Sequence, residues 1–278
     1  MPRVLITGVR GKTGVPLAAL LAARPGVEVL GGSSNPSSVT LGGVVPTAFS
    51  WDDPGGWDAA VEGVDAVFLV RPDRPDAPEL ISSLLTRIPT TTRIVLLSER
   101  DVDSFEPGDW SVRAESAVRE SGHPWTFLRP SWFMQVLTDD RFYRGEITEH
   151  GRLPFAGAGA SLAWIDARDI AAVAECALLD EGHDGRVYEL TGPESLTLPQ
   201  TAAVLTEALG RPIAHEEVTA DEAVSGLEGF EREEFVWTLD RVSDGVFADV
   251  TDVVEKVTGR PARTLAAFAA DHRADLTP

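Results

Sequence analysis

The stretch from residue 3 to residue 14 constrains the fold more than any other part of the chain. Arg3 to Ile6 is a short, mostly apolar run, glycines follow at Gly8, Gly11 and Gly14, and an apolar helical pattern begins at Val15. Strand, glycine turn and helix in this order form the context of a dinucleotide-binding fingerprint. In that fingerprint the glycines let the backbone turn tightly beside a pyrophosphate, which the helix N-terminus faces with unpaired N–H groups. A plain β-to-α turn is the alternative because the spacing is G-x-x-G-x-x-G, but the early position after a strand favours cofactor binding.

The type of cofactor is predicted from the residues that follow the second strand, expected at 27–30. Gly-Gly-Ser-Ser-Asn stands there, without the acidic residue that usually binds the adenosine ribose in NAD-binding proteins. Small hydroxyl and amide side chains tolerate or bind a 2′-phosphate, and Arg10 and Lys12 add positive charge nearby, unless both simply point to solvent. We therefore predict that NADP(H) is preferred over NAD(H).

The glycine loop and the carboxyl ends of four predicted strands supply the predicted cofactor-binding residues. Asp52 is included because it could reach the adenine amine, although capping of the helix that starts at Pro54 is at least as good an explanation. Arg71 is included because the cofactor would pass it, although a surface salt bridge is an alternative. The predicted set is Thr7, Gly8, Arg10, Gly11, Lys12, Thr13, Gly14, Ser33, Ser34, Asn35, Asp52, Val70, Arg71, Leu97 and Ser98.

Strands alternate with helical patterns through the first 130 residues. The predicted strands are 3–6, 27–30, 44–49, 64–70, 93–97 and 125–128. This rhythm is typical of a Rossmann-type α/β fold with a doubly wound parallel sheet. We predict an NADP(H)-binding core at 1–130. The remainder, 131–278, is predicted to complete the sheet and to form a smaller C-terminal α/β cap that binds substrate, with no clean boundary. A helix is expected at 170–179, with Asp169 as its N-cap.

Composition excludes several classes of partner and site. The net charge of -20 would repel a polyanion, so we expect no nucleic-acid binding. Cys176 is the only cysteine, the five histidines are scattered without ligand spacing, and no apolar run approaches the ~20 residues of a membrane span. Because a strand is predicted to start at residue 3, we expect no signal peptide. We expect a cytoplasmic protein without a metal, acting on a small molecule, with a homo-oligomer possible.

Four segments, in order along the chain, carry a resemblance to a known family. They are the glycine loop, ESAVRESGHPWTFLRPSWFM at 115–134, AWIDARDIA at 163–171 and YELTGPESLTL at 188–198. Together they resemble the atypical short-chain dehydrogenase/reductase proteins called NmrA-like, or NAD(P)H-binding. The resemblance covers most of the chain and implies a Rossmann-type fold, an NADP(H) preference and a ligand cleft under a C-terminal cap.

The proton-transfer pair of the wider dehydrogenase family is missing from this chain. That pair is Tyr-x-x-x-Lys, in which the lysine lowers the tyrosine pKa. Neither Tyr143 nor Tyr188 is followed four residues later by lysine, and Trp-Ser-Val-Arg stands at 110–113, where the pair is expected. Tryptophan offers no labile proton and arginine stays charged.

Other residues must therefore be considered for the role of the missing Tyr-x-x-x-Lys pair. The candidate catalytic residues are Ser98, Arg113 and Tyr143, although a loop hydroxyl, a surface salt bridge and a core side chain explain them too. An apolar wall for a flat substrate is predicted from four aromatic residues, which core packing explains equally well. They are Trp110, Trp132, Phe133 and Trp164.

Two hypotheses of function follow. The first is an NADPH-dependent reductase of a flat, mostly apolar acceptor such as a quinone, an enone or an imine. Quinone and enone products can take their proton from water or a weak acid. The second is a non-catalytic NADP(H) sensor, which the missing dyad would explain. The aromatic residues favour the reductase.

Overall fold

The computed structural model describes residues Met1–Pro278, and the chain divides into two compact units. The first unit contains Met1–Arg129 and Ile170–Glu189, and the second contains Pro130–Asp169 and Leu190–Pro278. The chain therefore leaves the first unit one residue before the predicted boundary, and it returns there for one helix and one strand. A substrate-binding role for the second unit stays a prediction.

Eleven strands and ten α-helices make up the two units. The strands are β1 (Arg3–Ile6), β2 (Glu28–Ser33), β3 (Val44–Ala48), β4 (Ala66–Val70), β5 (Arg93–Leu97), β6 (Trp125–Pro130), β7 (Arg152–Phe155), β8 (Ser161–Leu162), β9 (Arg186–Leu190), β10 (Leu196–Thr197) and β11 (Ala214–Glu217). The helices are α1 (Gly14–Ala22), α2 (Trp57–Val61), α3 (Ala77–Leu85), α4 (Trp110–Arg119), α5 (Ala167–Leu179), α6 (Leu198–Leu209), α7 (Ala220–Ala223), α8 (Gly229–Ser243), α9 (Val253–Thr258) and α10 (Leu265–Asp271). No helix combines the length and the apolar character that a bilayer crossing requires.

The first unit is built on a seven-stranded sheet with the order β3-β2-β1-β4-β5-β6-β9. The pairs from β3 through β6 are parallel, so the predicted doubly wound sheet is confirmed. Apolar side chains of the central strands are fully buried and pack against α2, α3 and α4. Strands buried on both faces read as continuous apolar runs, which is why they could be recognised in the sequence.

Strand β2 is longer than the sequence predicts. It continues through two glycines to Ser33. A methyl group on Gly31 would lie 2.7 Å from Cγ1 of Val44 on the neighbouring strand, so close packing between strands explains a glycine that resembles a turn residue.

The prediction that Asp169 caps α5 is wrong. The helix starts at Ala167, and the Asp166 carboxylate, which directly precedes it, accepts the backbone N–H of Arg168 at 2.9 Å. Asp169 lies in the first turn and accepts the backbone N–H of Arg263 at 2.7 Å. Either aspartate satisfies the sequence pattern of an N-cap, and only the backbone geometry distinguishes them.

The second unit packs around one apolar core. Strands β7 and β11 form a parallel pair, and β8 and β10 an antiparallel one. The core contains Trp132, Tyr143, Phe155, Trp164 and Phe268, all of them buried.

Candidate functional site

The glycine loop between β1 and α1 has a backbone shape that only glycine permits at its last position. A Cβ on Gly14 would clash with the carbonyl oxygen of Gly8 and would lie 2.9 Å from Cα of Val9. A Cβ on Gly8 would lie 3.0 Å from Cβ of Val70, at the end of β4. The loop thus folds back on itself and packs against the neighbouring strand, as a pyrophosphate-binding turn does.

Two threonines of the loop have different roles. Thr7 ties the end of β1 to β4, because its Oγ1 accepts the backbone N–H of Val70 at 2.8 Å and its own N–H binds the carbonyl of Phe68 at 3.1 Å. Thr13 directly precedes α1, makes no capping bond, and its buried Oγ1 has no hydrogen-bond partner. A buried hydroxyl without a partner at the start of a helix fits a phosphate oxygen.

The carboxyl end of β2 offers hydroxyl and amide groups but no carboxylate. Ser33 is buried and exchanges hydrogen bonds of 3.1 Å with the backbone of Asn35, so its hydroxyl shapes the turn. Ser34 and Asn35 are exposed, as is Arg10 in the glycine loop, and Lys12 is half-buried. Of the side chains predicted to bind the 2′-phosphate, those of Arg10, Ser34 and Asn35 are therefore accessible to solvent. Lys12 is half-buried and lies two residues after Arg10 in the chain.

Asp52 has a surface position in the structure. Its exposed carboxylate forms an ion pair with Arg74. The neighbouring Asp53 is the residue that caps, since its carboxylate accepts the backbone N–H of Gly55 at 3.1 Å. A contact of Asp52 with adenine stays a prediction.

A polar cluster lies at the carboxyl ends of β4 and β5, which end at Val70 and Leu97. The Arg71 guanidinium lies 3.2 Å from Oε1 of Glu99, and 3.3 Å from Oγ of Ser111 on α4. Ser111 also donates a short hydrogen bond to Glu99. The guanidinium carbon lies 4.0 Å from the ring centroid of Trp110. We call Arg71, Glu99, Trp110 and Ser111 the Arg71 cluster.

Ser98 belongs to a different, buried network. Its hydroxyl donates to the Glu115 carboxylate at 2.7 Å. The Arg129 guanidinium binds both oxygens of Glu115, at 2.8 and 2.7 Å, and both oxygens of Asp103, at 2.8 and 2.9 Å. These contacts give Ser98 a structural partner, so a catalytic role for it stays a prediction that its hydrogen bonding does not support.

The network shifts the ionisation of its members. Burial alone would lower the pKa of Arg129, but hydrogen bonds and charge attraction from Glu115 and Asp103 outweigh it and raise that pKa. The hydrogen bonds from Arg129 lower the pKa of the Asp103 carboxyl. Burial raises the pKa of Glu189, which lies 3.4 Å from Arg129 on β9. Arg129 is therefore a permanent cation held between three carboxyl groups.

The other two candidate catalytic residues lie where the alternative explanations put them, one in a surface salt bridge and one in the core. Arg113 is exposed and pairs with Glu79 of α3, which makes it a surface salt bridge. Tyr143 is 7% exposed in the core of the second unit, with its ring 5.4 Å from that of Phe155. Burial raises the pKa of Tyr143. Neither position supports a proton-donating role.

The predicted apolar wall is divided between the two units. Trp110 belongs to the Arg71 cluster of the first unit, whereas Trp132 and Trp164 are buried in the core of the second, and Phe133 is half-buried. Trp164 donates its indole N–H to Oγ1 of Thr201 at 3.0 Å, but the buried indole N–H of Trp132 has no acceptor. A common wall formed by all four residues therefore stays a prediction.

This difference between two core tryptophans gives a first testable prediction. Trp164→Phe should reduce the free energy of unfolding more than Trp132→Phe, by about 1–3 kcal/mol, because only the former leaves a buried hydroxyl unsatisfied. Urea unfolding of both variants measures the difference, and ring size changes equally in the two. Equal losses would show that the Trp132 N–H has a partner in solution.

The structure also brings together residues that the sequence did not single out. Glu99, Glu115 and Arg129 belong to the two polar groups described above, but none was predicted as a site residue. Glu99 lies two residues after the end of the predicted strand 93–97, and this position is the signal that could have identified it. No group of three or more His, Cys, Asp or Glu side chains is arranged to hold a metal ion.

Comparisons with known proteins agree with this geometry. A family model described as NAD(P)H-binding matches residues 8–181. The chain is 33% identical over 283 residues to (4-alkanoyl-5-oxo-2,5-dihydrofuran-3-yl)methyl phosphate reductase from Streptomyces griseus, with 99% of each chain covered. It is 34% identical over 285 residues to an NAD(P)H azoreductase from Xenophilus azovorans, with 98% of each covered.

A solved structure shares the fold. The NADPH-dependent quinone oxidoreductase of Escherichia coli, in complex with NADPH, superimposes with a TM-score of 0.81 at 22% identity. The match covers 96% of this chain and 99% of that one.

Proposed function

Because the chain belongs to the family of NAD(P)H-binding proteins, we propose that it is an NADPH-dependent reductase of flat, mostly apolar acceptors of the quinone, enone or imine type. The observation that carries the proposal is the glycine loop, whose close packing and unsatisfied Thr13 hydroxyl fit a dinucleotide pyrophosphate. Gly8, Gly11 and Gly14 with the start of α1 would hold the phosphates.

The preference for NADP(H) is supported by the end of β2. A carboxylate there would bind the ribose hydroxyls of NAD(H) and would repel a 2′-phosphate. Instead the accessible groups are the hydroxyl of Ser34, the amide of Asn35 and the cation of Arg10. Arginine is well suited to a phosphate because its planar fork can donate two parallel hydrogen bonds.

The acceptor class is supported by the activities of related proteins. One is a reductase of a dihydrofuranyl methyl phosphate, one is an azoreductase, and the enzyme with the shared fold is a quinone oxidoreductase. Quinone, azo and unsaturated-lactone groups are flat and conjugated, so they can accept a hydride at one end of a double bond. We infer the same kind of acceptor here.

The chemistry does not require a Tyr-x-x-x-Lys pair. A dinucleotide held by Gly8, Gly11, Gly14 and the start of α1 would supply a hydride when bound, and the electron pair of the acceptor double bond would then move to a conjugated oxygen or nitrogen of the acceptor. That anion is delocalised in a quinone or an enone, so a proton from water completes the reduction. The role of the protein is then to bind and orient both reactants, which can itself supply much of the rate enhancement.

Two measurements test the proposal in sequence. Titration with NADPH and with NADH, followed by thermal stability, measures cofactor binding, because a ligand of the native state raises the melting temperature. NADPH oxidation is then followed at 340 nm, an absorbance general to that cofactor, with menadione, methyl red and cyclohexenone. Binding without turnover of any acceptor would reject the reductase and leave the non-catalytic sensor, and binding of neither cofactor would reject both.

Replacing Ser34 by aspartate tests the 2′-phosphate site. Ser34→Asp should weaken NADPH binding about ten- to a hundredfold through like-charge repulsion, and should leave NADH binding unchanged or stronger. The control is Thr40→Asp, which adds the same charge at another exposed residue beyond β2. Isothermal titration of both variants measures the ratio of the two affinities, and a ratio unchanged in Ser34→Asp would place the 2′-phosphate elsewhere.

Other expectations from the sequence stay part of the proposal. They are a cytoplasmic location, a possible homo-oligomer and the absence of nucleic-acid binding.

A further inference from the structure

The order of the strands indicates where each half of a bound dinucleotide must lie. The order reverses between β1 and β4, and a dinucleotide binds across the sheet at that reversal, one mononucleotide on each side. The adenosine half belongs to the side of β2, because the residues after β2 meet the ribose. The nicotinamide half therefore belongs to the side of β4 and β5, where the Arg71 cluster lies.

We propose that Arg71 and Glu99 bind the carboxamide group of the nicotinamide, an inference that depends on the proposed function. Arg71 donates to the carboxamide oxygen, and Glu99 accepts from the carboxamide nitrogen. A primary amide carries one acceptor and one donor side by side, and the two side chains offer the complementary pair, with a guanidinium nitrogen 3.2 Å from a carboxylate oxygen.

The charge of the cluster favours a neutral amide over the other ligand that could reach this side of the sheet. The anion formed on an acceptor after hydride transfer would be attracted by Arg71 but repelled by Glu99, whose carboxylate lies 3.2 Å from the guanidinium. A neutral group with both a donor and an acceptor is attracted by both residues. The pair is also largely shielded, with 11% of the Arg71 side chain and 19% of the Glu99 side chain exposed, which strengthens hydrogen bonds to charged groups.

Trp110 and Ser111 are positioning residues for this pair. The indole ring of Trp110 lies under the guanidinium, with 4.0 Å between the guanidinium carbon and the ring centroid, and restricts its rotation. The hydroxyl of Ser111 donates to Glu99 and accepts from Arg71. Both residues stand where the Tyr-x-x-x-Lys pair is expected, so the start of α4 orients the cofactor here instead of transferring a proton.

The test uses three ligands that share the 2′-phospho-ADP-ribose part and differ at the nicotinamide end. NADP⁺ carries the complete group, its 3-acetylpyridine analogue keeps the carbonyl but lacks the N–H donor, and 2′-phospho-ADP-ribose lacks the nicotinamide altogether. Dissociation constants are measured by isothermal titration for the full-length protein, so that the readout does not depend on turnover. The wild type should bind NADP⁺ about tenfold or more tightly than the acetyl analogue, which cannot donate to Glu99.

Two variants and one control variant are titrated with the same three ligands. Glu99→Met should remove the preference for NADP⁺ over the acetyl analogue, and Arg71→Met should weaken both about equally. Neither should change the affinity for 2′-phospho-ADP-ribose by more than about twofold. Glu79→Gln, which removes a carboxylate from an exposed ion pair on α3, should change none of the constants.

The outcomes separate this inference from the proposed function. The carboxamide contact is overturned if the wild type binds the acetyl analogue as tightly as NADP⁺, or if Glu99→Met keeps the preference for NADP⁺ over that analogue. In both cases the binding of NADP⁺ itself would still support the proposed cofactor. Equal losses for all three ligands in Glu99→Met also overturn it, since they would indicate a general disturbance of the sheet edge. Absence of binding of all three ligands to the wild type would overturn the proposed function itself.

Discussion

Arg129→Met is expected to reduce the free energy of unfolding by about 3–5 kcal/mol, the usual cost of removing one partner from a buried ion pair. The side chains of Arg129 and Glu115 are only 2% and 3% exposed. Methionine fills much of the same volume, so the loss would reflect the carboxylate of Glu115, left in the interior without its cation. Urea unfolding measures the change. Arg141→Met is the control because the Arg141 side chain is 76% exposed in its ion pair with Asp139, so its loss should change stability by less than about 0.5 kcal/mol.

A second variant keeps this prediction testable if Arg129→Met does not fold. Arg129→Met combined with Glu115→Leu removes both charges, and apolar replacement of a complete buried pair is often close to neutral. We therefore expect the double variant to regain most of the lost stability. If it is as unstable as the single variant, the cost lies in the contacts of Arg129 with Asp103 and Glu189 or in packing, and the assignment to Glu115 is wrong.

The sheet of the first unit could be predicted from the sequence because each of its strands can be recognised from a short stretch of neighbouring residues. Strands β1 and β5 have the predicted bounds, since each is an apolar run between polar residues. The resemblance to the NAD(P)H-binding proteins is confirmed by the family model, which matches residues 8–181. Motifs whose residues are neighbours in sequence, such as the glycine loop, can be read in the same way.

The polar groups beside the strands could not be predicted, because their partners are distant in sequence. The sequence predicts Ser98 as a catalytic and cofactor-binding residue, yet its hydroxyl donates to Glu115, which is 17 residues away on α4. Arg71 finds Ser111 at a separation of 40 residues. Arginine and glutamate are common surface residues, so a sequence pattern gives no reason to pair one particular arginine with one particular glutamate across two strand ends.

The aromatic residues show the same limit in another form. Trp132 and Trp164 are the same residue type and are both buried, and the sequence predicts both as part of an apolar wall for the substrate. The structure shows that one indole N–H has an acceptor and the other has none. A hydrogen bond depends on positions to a fraction of an ångström, which composition and spacing do not specify.

Gly14→Ala is expected to weaken NADPH binding at least a hundredfold, which corresponds to about 2.7 kcal/mol. The added methyl group would clash with the carbonyl oxygen of Gly8 and would lie 2.9 Å from Cα of Val9. Because these are backbone atoms, the loop must move, and both the turn and the start of α1 then lose the shape that fits a pyrophosphate. Isothermal titration with NADPH measures the loss, and circular dichroism verifies that the fold is retained.

A graded series distinguishes this clash from a general effect of glycine replacement. A Cβ on Gly11 would lie 3.2 Å from the carbonyl oxygen of Gly8, and a Cβ on Gly42 would meet no atom within 4 Å. Gly11→Ala should therefore weaken NADPH binding less than Gly14→Ala, and Gly42→Ala should leave it unchanged. If Gly14→Ala binds NADPH as the wild type does, the loop does not contact the pyrophosphate. The glycines would then serve only the packing of α1 on the sheet, and the proposed function would lose the observation that carries it.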